Sequence, residues 1–183
     1  MNDTGPSETE CLRRGQQGDA DAFGSLFRAH ATAAVRTAYA ITRDWAAAED
    51  AVQEAFVRAF RSLPRFRLGE PFAPWLYRLV VNEARRIAGR RRPPAVSRDG
   101  PAATPDPEAV LFAREEQRRI WAALGELSPD HRAVLVLKYL RGFSEMEAAV
   151  ALGVAPQTVK SRLYKARRRL AARLDREGEE DHV

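Results

Sequence analysis

Between Pro93 and Pro107 the chain places five prolines (Pro93, Pro94, Pro101, Pro105 and Pro107) in fifteen residues, with almost no large apolar side chain among them. Proline fixes its own φ and lacks an amide hydrogen, so such a stretch packs neither as a helix interior nor as an inner strand. It reads as a linker that divides the 183 residues into two halves. Each half has enough apolar residues for a modest core of its own.

Both halves carry helical periodicity. Residues 1–18 are polar and read as a flexible tail. From Asp19 onward Phe23, Leu26, Phe27, Ala34, Val35, Ala38 and Ile41 recur at helical spacing, with Asp19 or Asp21 as N-cap. A second helix is expected from about Asp44 to Leu63, where Pro64 stops it. After a loop from Arg65 to Pro74, a third runs from about Trp75 to Arg92 on the stripe Leu76, Leu79, Val80 and Ile87. Beyond the linker, Val110, Leu111, Ile120, Trp121 and Leu124 mark one helix, and Ser128-Pro129 opens another ending near Gly142. Ser144 and Glu147 form a capping box for a short helix to Leu152, and Gly153 is placed as its left-handed end. Pro156 opens the last helix, to about Asp175. The expected fold is all-α: a domain over 19–92, the linker 93–107, a second domain over 108–174 containing a helix-turn-helix, and an acidic tail 175–183.

Several function classes lose support. Cys11 is the single cysteine, so no intrachain disulfide forms, and His30, His131 and His182 are too scattered for a zinc site. No run approaches the length of a membrane span, and the first twenty residues lack a signal-like apolar core. The expectation is a cytoplasmic protein without cofactor, metal or membrane insertion. There is no Gly-rich phosphate loop, no G-x-S-x-G elbow and no H-E-x-x-H helix, so no catalytic residue is nominated. The carboxylates Glu49, Asp50 and Glu54 lie among Ala and Val on a helix and read as a solvated or partner-binding face.

The net charge of +5 is mild, but it is segregated. Between Lys160 and Arg173 stand seven basic residues and no acidic one, while Val159, Leu163, Ala166, Leu170 and Leu174 share one stripe. The stripe can dock on the preceding helices while the basic flank faces phosphates. In a helix-turn-helix the second helix enters the major groove by its N-terminal residues, here Gln157, Thr158, Lys160, Ser161 and Arg162. Gln suits adenine and Arg guanine. Lys165 and Arg168 continue the basic flank. A basic helix also serves as a solvated face or docks acidic proteins or lipid, but the capped helix and turn before this one favour DNA.

The residues Phe143-Ser144-Glu145-Met146-Glu147-Ala148-Ala149, Leu152-Gly153-Val154 and Thr158-Val159-Lys160-Ser161-Arg162-Leu163 resemble the promoter-reading C-terminal domain of alternative sigma factors. In the first half, Ala48-Glu49-Asp50-Ala51-Val52-Gln53-Glu54-Ala55-Phe56 and Trp75-Leu76-Tyr77-Arg78-Leu79-Val80-Val81-Asn82 resemble their N-terminal conserved domain. Two motif sets in order, on a short two-domain chain, are similar to the extracytoplasmic-function group. The resemblance implies an initiation factor that binds core RNA polymerase, directs it to promoter DNA and helps separate the strands. It implies clamp contacts by Asp50, Gln53, Glu54 and Arg58, although Arg58 can instead pair with Glu54 one turn away.

The resemblance also places Phe66, Trp75 and Asn82 at a pocket for an unstacked base of the minus-ten element, with Arg85, Arg86, Arg90, Arg91 and Arg92 on adjacent backbone. Read as residues alone, Phe66 and Trp75 are equally core aromatics. An anti-sigma factor is implied as a further partner, with no residue marking where it binds. The linker is expected to thread the polymerase and set the spacing of the two promoter elements.

Three departures stand out. Gln157 occupies a position often held by Gly, Ala148 one often held by a larger aliphatic, and Leu68-Gly69-Glu70-Pro71 differs from common loops. The minus-ten preference therefore does not carry over. An alternative reading is a helix-turn-helix regulator whose first half binds a ligand or dimerises. An enzyme on a helical scaffold has no constellation to support it.

Overall fold

The computed structural model describes residues 7–90, 117 and 119–180, without the side chains of 176–180. The linker 93–107, together with Arg91, Arg92, Val110 and Leu111, lies outside the described residues.

Helix α1 (Glu8–Gln16) replaces part of the expected tail. The Ser7 hydroxyl accepts from the Glu10 amide to start it, and Cys11, Leu12 and Gly15 are buried beneath it. Gly15 is required by close approach, since a Cβ there would meet Leu63 at 2.8 Å. The helix is held by this docking rather than by a long apolar stripe of its own.

Helix α2 (Ala20–Thr42) is capped by Asp19, whose carboxylate accepts from the amides of Asp21 and Ala22. Arg43 ends it in the left-handed region at φ 64°, and Asp44 caps α3 (Trp45–Ser62) through the Ala47 amide. Ala47, Ala48, Ala51, Ala55 and Ala59 of α3 are fully buried, small enough to bring α2 and α4 close. A 3-10 turn at Leu63–Arg65 follows. Helix α4 (Phe72–Arg90) begins three residues earlier than the sequence pattern predicts. Pro74 sits in its first turn, where no intrahelical amide is needed.

The second half starts with α5, helical over 119–125. Ser128 caps α6 (Pro129–Leu135), which runs into a π-helical turn at Val136–Leu140. Between α5 and α6 the buried Arg132 guanidinium donates to the carbonyls of Gly125 and Leu127, at 2.9 Å each. Burial, with the Arg43 charge nearby, pushes its pKa down to about 10. Helix α7 (Glu145–Leu152) has the complete capping box: the Ser144 amide donates to Glu147 at 2.8 Å and the Glu147 amide to Ser144 Oγ at 3.2 Å. Gly153 takes φ 65°, and α8 (Pro156–Glu180) follows, five residues longer than expected.

All regular elements among the described residues are helical. The two helical domains pack against each other, their buried residues joining in one hydrophobic core, with α4 against α7 and α2 against α6. Tyr77 of α4 is fully buried, its ring edge-on to Phe143 at 5.5 Å, with the Arg141 guanidinium 4.8 Å over it. Burying a ring such as Phe143 contributes roughly 1.5–3 kcal/mol. Across the same boundary Arg43 donates to the Trp121 carbonyl, and Tyr39 packs 5.8 Å from the Trp121 ring.

Candidate nucleic-acid interface and polymerase-facing surface

Helix α8 separates its faces as the stripe requires. Val159, Leu163 and Ala166 are buried, whereas Gln157, Lys160, Ser161, Lys165 and Arg168 are exposed and Thr158 and Arg162 half-buried. The Ser161 hydroxyl donates to the Thr158 carbonyl at 3.0 Å, so its donor is occupied within the helix. Lys160 lies 3.5 Å from Glu145, an exposed pair that phosphates can displace cheaply. Arg168 is ordered over the Tyr164 ring.

On α4, Asn82 is exposed and lies two helical turns beyond the half-buried Trp75, so both address one side of the helix. Phe66 differs from the open-wall arrangement. It is 7% exposed, edge-on to Phe72 at 5.8 Å and 5.0 Å from Trp75, and Gln16 donates to its carbonyl at 2.6 Å. In this arrangement Phe66 packs as a core aromatic, whereas Trp75 is only half-buried.

Asn82, Arg85, Arg86 and Gly89 face Ser128, Pro129 and Asp130 across a cleft of about 430 Å³. Asp130 is a residue that sequence reasoning did not single out. It pairs with Arg85 of α4 and lies 3.6 Å from Arg162 of α8, so one carboxylate joins residues from the two expected DNA-contacting helices. Nothing in its local sequence, a common helix first-turn acid, signals that role.

On α3, Asp50 and Gln53 are exposed, Glu54 half-buried and Arg58 exposed, with the apolar Val57 and Phe60 also open to solvent. Arg58 does pair with Glu54, at 3.0 Å, and it also reaches Glu83 of α4 at 2.6 Å. Glu83 is 2% exposed and holds Arg86 as well, at 2.7 Å. Among the described residues no group of His, Cys, Asp and Glu is arranged to hold a metal ion, and no helix is long and apolar enough to cross a membrane.

The Sigma-70 region 2 family model matches residues 26–93, and the Sigma-70, region 4 model matches residues 117–170. RNA polymerase sigma factor NccH of Alcaligenes xylosoxydans xylosoxydans is 33% identical over 180 residues, covering 93% of this chain and 97% of the relative. The chain belongs to the extracytoplasmic-function sigma factors. The ECF RNA polymerase sigma-E factor of Escherichia coli (strain K12) is 32% identical over 85% of this sigma factor and 88% of its own length. Among solved structures, CnrH in complex with the cytosolic domain of CnrY superposes with a TM-score of 0.71 at 30% identity, covering 92% of this chain and 97% of that one. The sigma factor RpoE in complex with the anti-sigma factor NepR from Bartonella quintana gives 0.66 at 25% identity, covering 84% and 96%.

As a sigma factor, the protein binds core RNA polymerase and directs promoter-specific initiation, including strand separation. The regulator alternative is not favoured, because the first half is itself matched by region 2.

Proposed function

We propose that α8 of this sigma factor reads the minus-thirty-five element in the major groove, with Gln157, Thr158, Lys160, Ser161 and Arg162 at base edges or nearby phosphates and Lys165 and Arg168 on the backbone. The observation that carries this is the division of α8 into a buried Val159-Leu163-Ala166 stripe and an exposed basic flank behind a capped helix and turn. Arg162 supplies a planar fork suited to guanine O6 and N7, and the lysines act as point charges on phosphate.

In the same reading α4 works on the minus-ten element. Trp75 stacks on an unpaired base, Asn82 supplies an amide donor and acceptor to its edge, and Arg85 and Arg86 hold the neighbouring backbone. Phe66 supports Trp75 from behind in the packed arrangement, and it contacts a base directly only if its loop opens. Asp50, Gln53, Glu54 and Arg58 of α3 form the polymerase-facing surface. The polypeptide acts without catalytic chemistry or cofactor of its own, in the cytoplasm where the polymerase works. The relatives bound to CnrY and NepR support an anti-sigma factor as a partner of this chain too.

The test is promoter-directed transcription with purified core polymerase and this chain. Specific initiation that is lost in Lys160→Ala/Arg162→Ala supports α8 as the reader. Undiminished initiation by both variants removes it.

A further inference from the structure

Along α4, Leu76, Val80, Glu83 and Ile87 follow one another at helical spacing, and the first two are buried core residues. The third position of this stripe carries a carboxylate instead of an apolar side chain, and that carboxylate is 2% exposed. A buried charge persists only when opposite charges and hydrogen bonds compensate its lost hydration. Here the two oxygens are divided: Oε1 takes Arg58 of α3 at 2.6 Å, and Oε2 takes Arg86 of α4 at 2.7 Å. Arg58 is bound on its other side to Glu54 at 3.0 Å. Glu54, Arg58, Glu83 and Arg86 thus form one continuous ionic chain from the polymerase-facing edge of α3 to the DNA-facing edge of α4.

We infer that Glu83 is a positioning residue for initiation, holding Arg58 toward the polymerase and Arg86 toward DNA as parts of one rigid unit. The inference rests on the proposed roles of those two arginines. Its physical basis is entropic as well as electrostatic. An arginine side chain left untethered must be ordered at the moment of binding, whereas one held by a buried carboxylate is already placed.

The experiment uses the full chain with core polymerase and promoter DNA, comparing Glu83→Gln and Glu83→Met alone and in Arg58→Ala and Arg86→Ala backgrounds. Both arginines reach solvent, at 49% and 41% side-chain exposure, so neither is stranded as a buried charge when Glu83 is replaced. Glu83→Met also restores the apolar stripe, and it carries the test if the Gln variant folds poorly. With the unfolding midpoint preserved, polymerase affinity and permanganate-detected melting are each expected to fall about tenfold, the scale of one charge-assisted hydrogen bond.

The Met substitution should add nothing to the polymerase defect of Arg58→Ala, nor to the melting defect of Arg86→Ala. Losses that add in full to those of the arginine variants, or no loss in a folded Glu83 variant, overturn the inference while leaving the arginine roles standing. If Arg58→Ala and Arg86→Ala are themselves silent, the site reading falls and this inference falls with it.

Discussion

Asp130 of α6 forms an ion pair with Arg85 of α4, and the contact crosses from one side of the Pro-rich linker to the other. The same carboxylate lies 3.6 Å from Arg162 of α8. Two guanidinium groups proposed to contact DNA are therefore engaged by a single internal anion. In that role, phosphates would compete with Asp130 for both. Each such partly exposed pair is worth about 0.2–1 kcal/mol. Asp130→Asn is accordingly expected to raise the affinity of the polymerase-free chain for promoter duplex about two- to fivefold at low salt. Fluorescence anisotropy at fixed ionic strength measures this, and an unchanged affinity would show that the pairs are already open in solution.

Substitutions on α8 should separate base reading from phosphate binding. Arg162→Ala is expected to cost about 1–3 kcal/mol and relax preference at one base pair if it reads a guanine. Lys160→Ala should weaken binding uniformly across sequences and lower the salt slope by about one. Titrations over a range of salt concentrations on matched and single-substituted duplexes distinguish the two.

Asn82→Ala removes an exposed amide without touching the core. Binding to duplex DNA should persist while open-complex formation falls. Permanganate footprints that show normal melting would count against Asn82 at the unpaired base.

The capping box that starts α7 gives a stability prediction. Ser144→Ala removes the acceptor for the Glu147 amide and should cost about 1 kcal/mol. Because α7 packs on α4, the loss should appear in the cooperative transition rather than as local fraying. Urea unfolding with an unchanged m-value tests this.

His131 yields a pH dependence. Burial first, and then the neighbouring Arg169, Arg162 and Lys165 charges, hold its pKa below the ordinary 6.5, against an opposing pull from Asp130. The unfolded chain therefore takes up a proton before the folded one does. Stability should decline as pH falls through 6.5 toward the lowered folded value, and it should level off below that. The carboxylates Glu10, Asp19 and Glu147 are lowered too, so their contributions are lost only at more acidic pH. His131→Gln should flatten the decline between neutral pH and that acid range in thermal melts.

Cap chemistry and helical period were legible because they are local. Asp19 (with Asp21 as the alternative), Ser128, Ser144 with Glu147, and Gly153 each act within four residues, and the structure places Asp19, Ser128, Ser144, Glu147 and Gly153 at the helix ends, adding Asp44 as the cap of α3. The division of α8 into apolar and basic faces was legible for the same reason. Helix α1 was not, because its apolar contribution is little more than Cys11 and Leu12. Its order comes from Leu63 and from the carbonyls of Leu63 and Phe66, to which Gln16 donates across about fifty positions of chain. The status of Phe66 was open in the sequence, since an aromatic beside a helix start serves packing and stacking alike. Its burial against Phe72 and Trp75 is a property of the assembled loop.

By itself the sequence determined an all-helical chain interrupted at Pro93–Pro107, the helix-turn-helix, and the motifs of a sigma factor, because period, caps and charge runs are written in neighbouring residues. Only the tertiary structure decided that the two halves share a core through Tyr77 and Phe143, that Glu83 ties Arg58 to Arg86, and that Asp130 meets both Arg85 and Arg162. The Glu83–Arg58 pair and the Asp130 contacts join side chains 25 to 45 positions apart, and Tyr77–Phe143 spans more. A buried carboxylate or a shared ring contact takes its meaning from the charge or surface that folding brings against it, which no local pattern records.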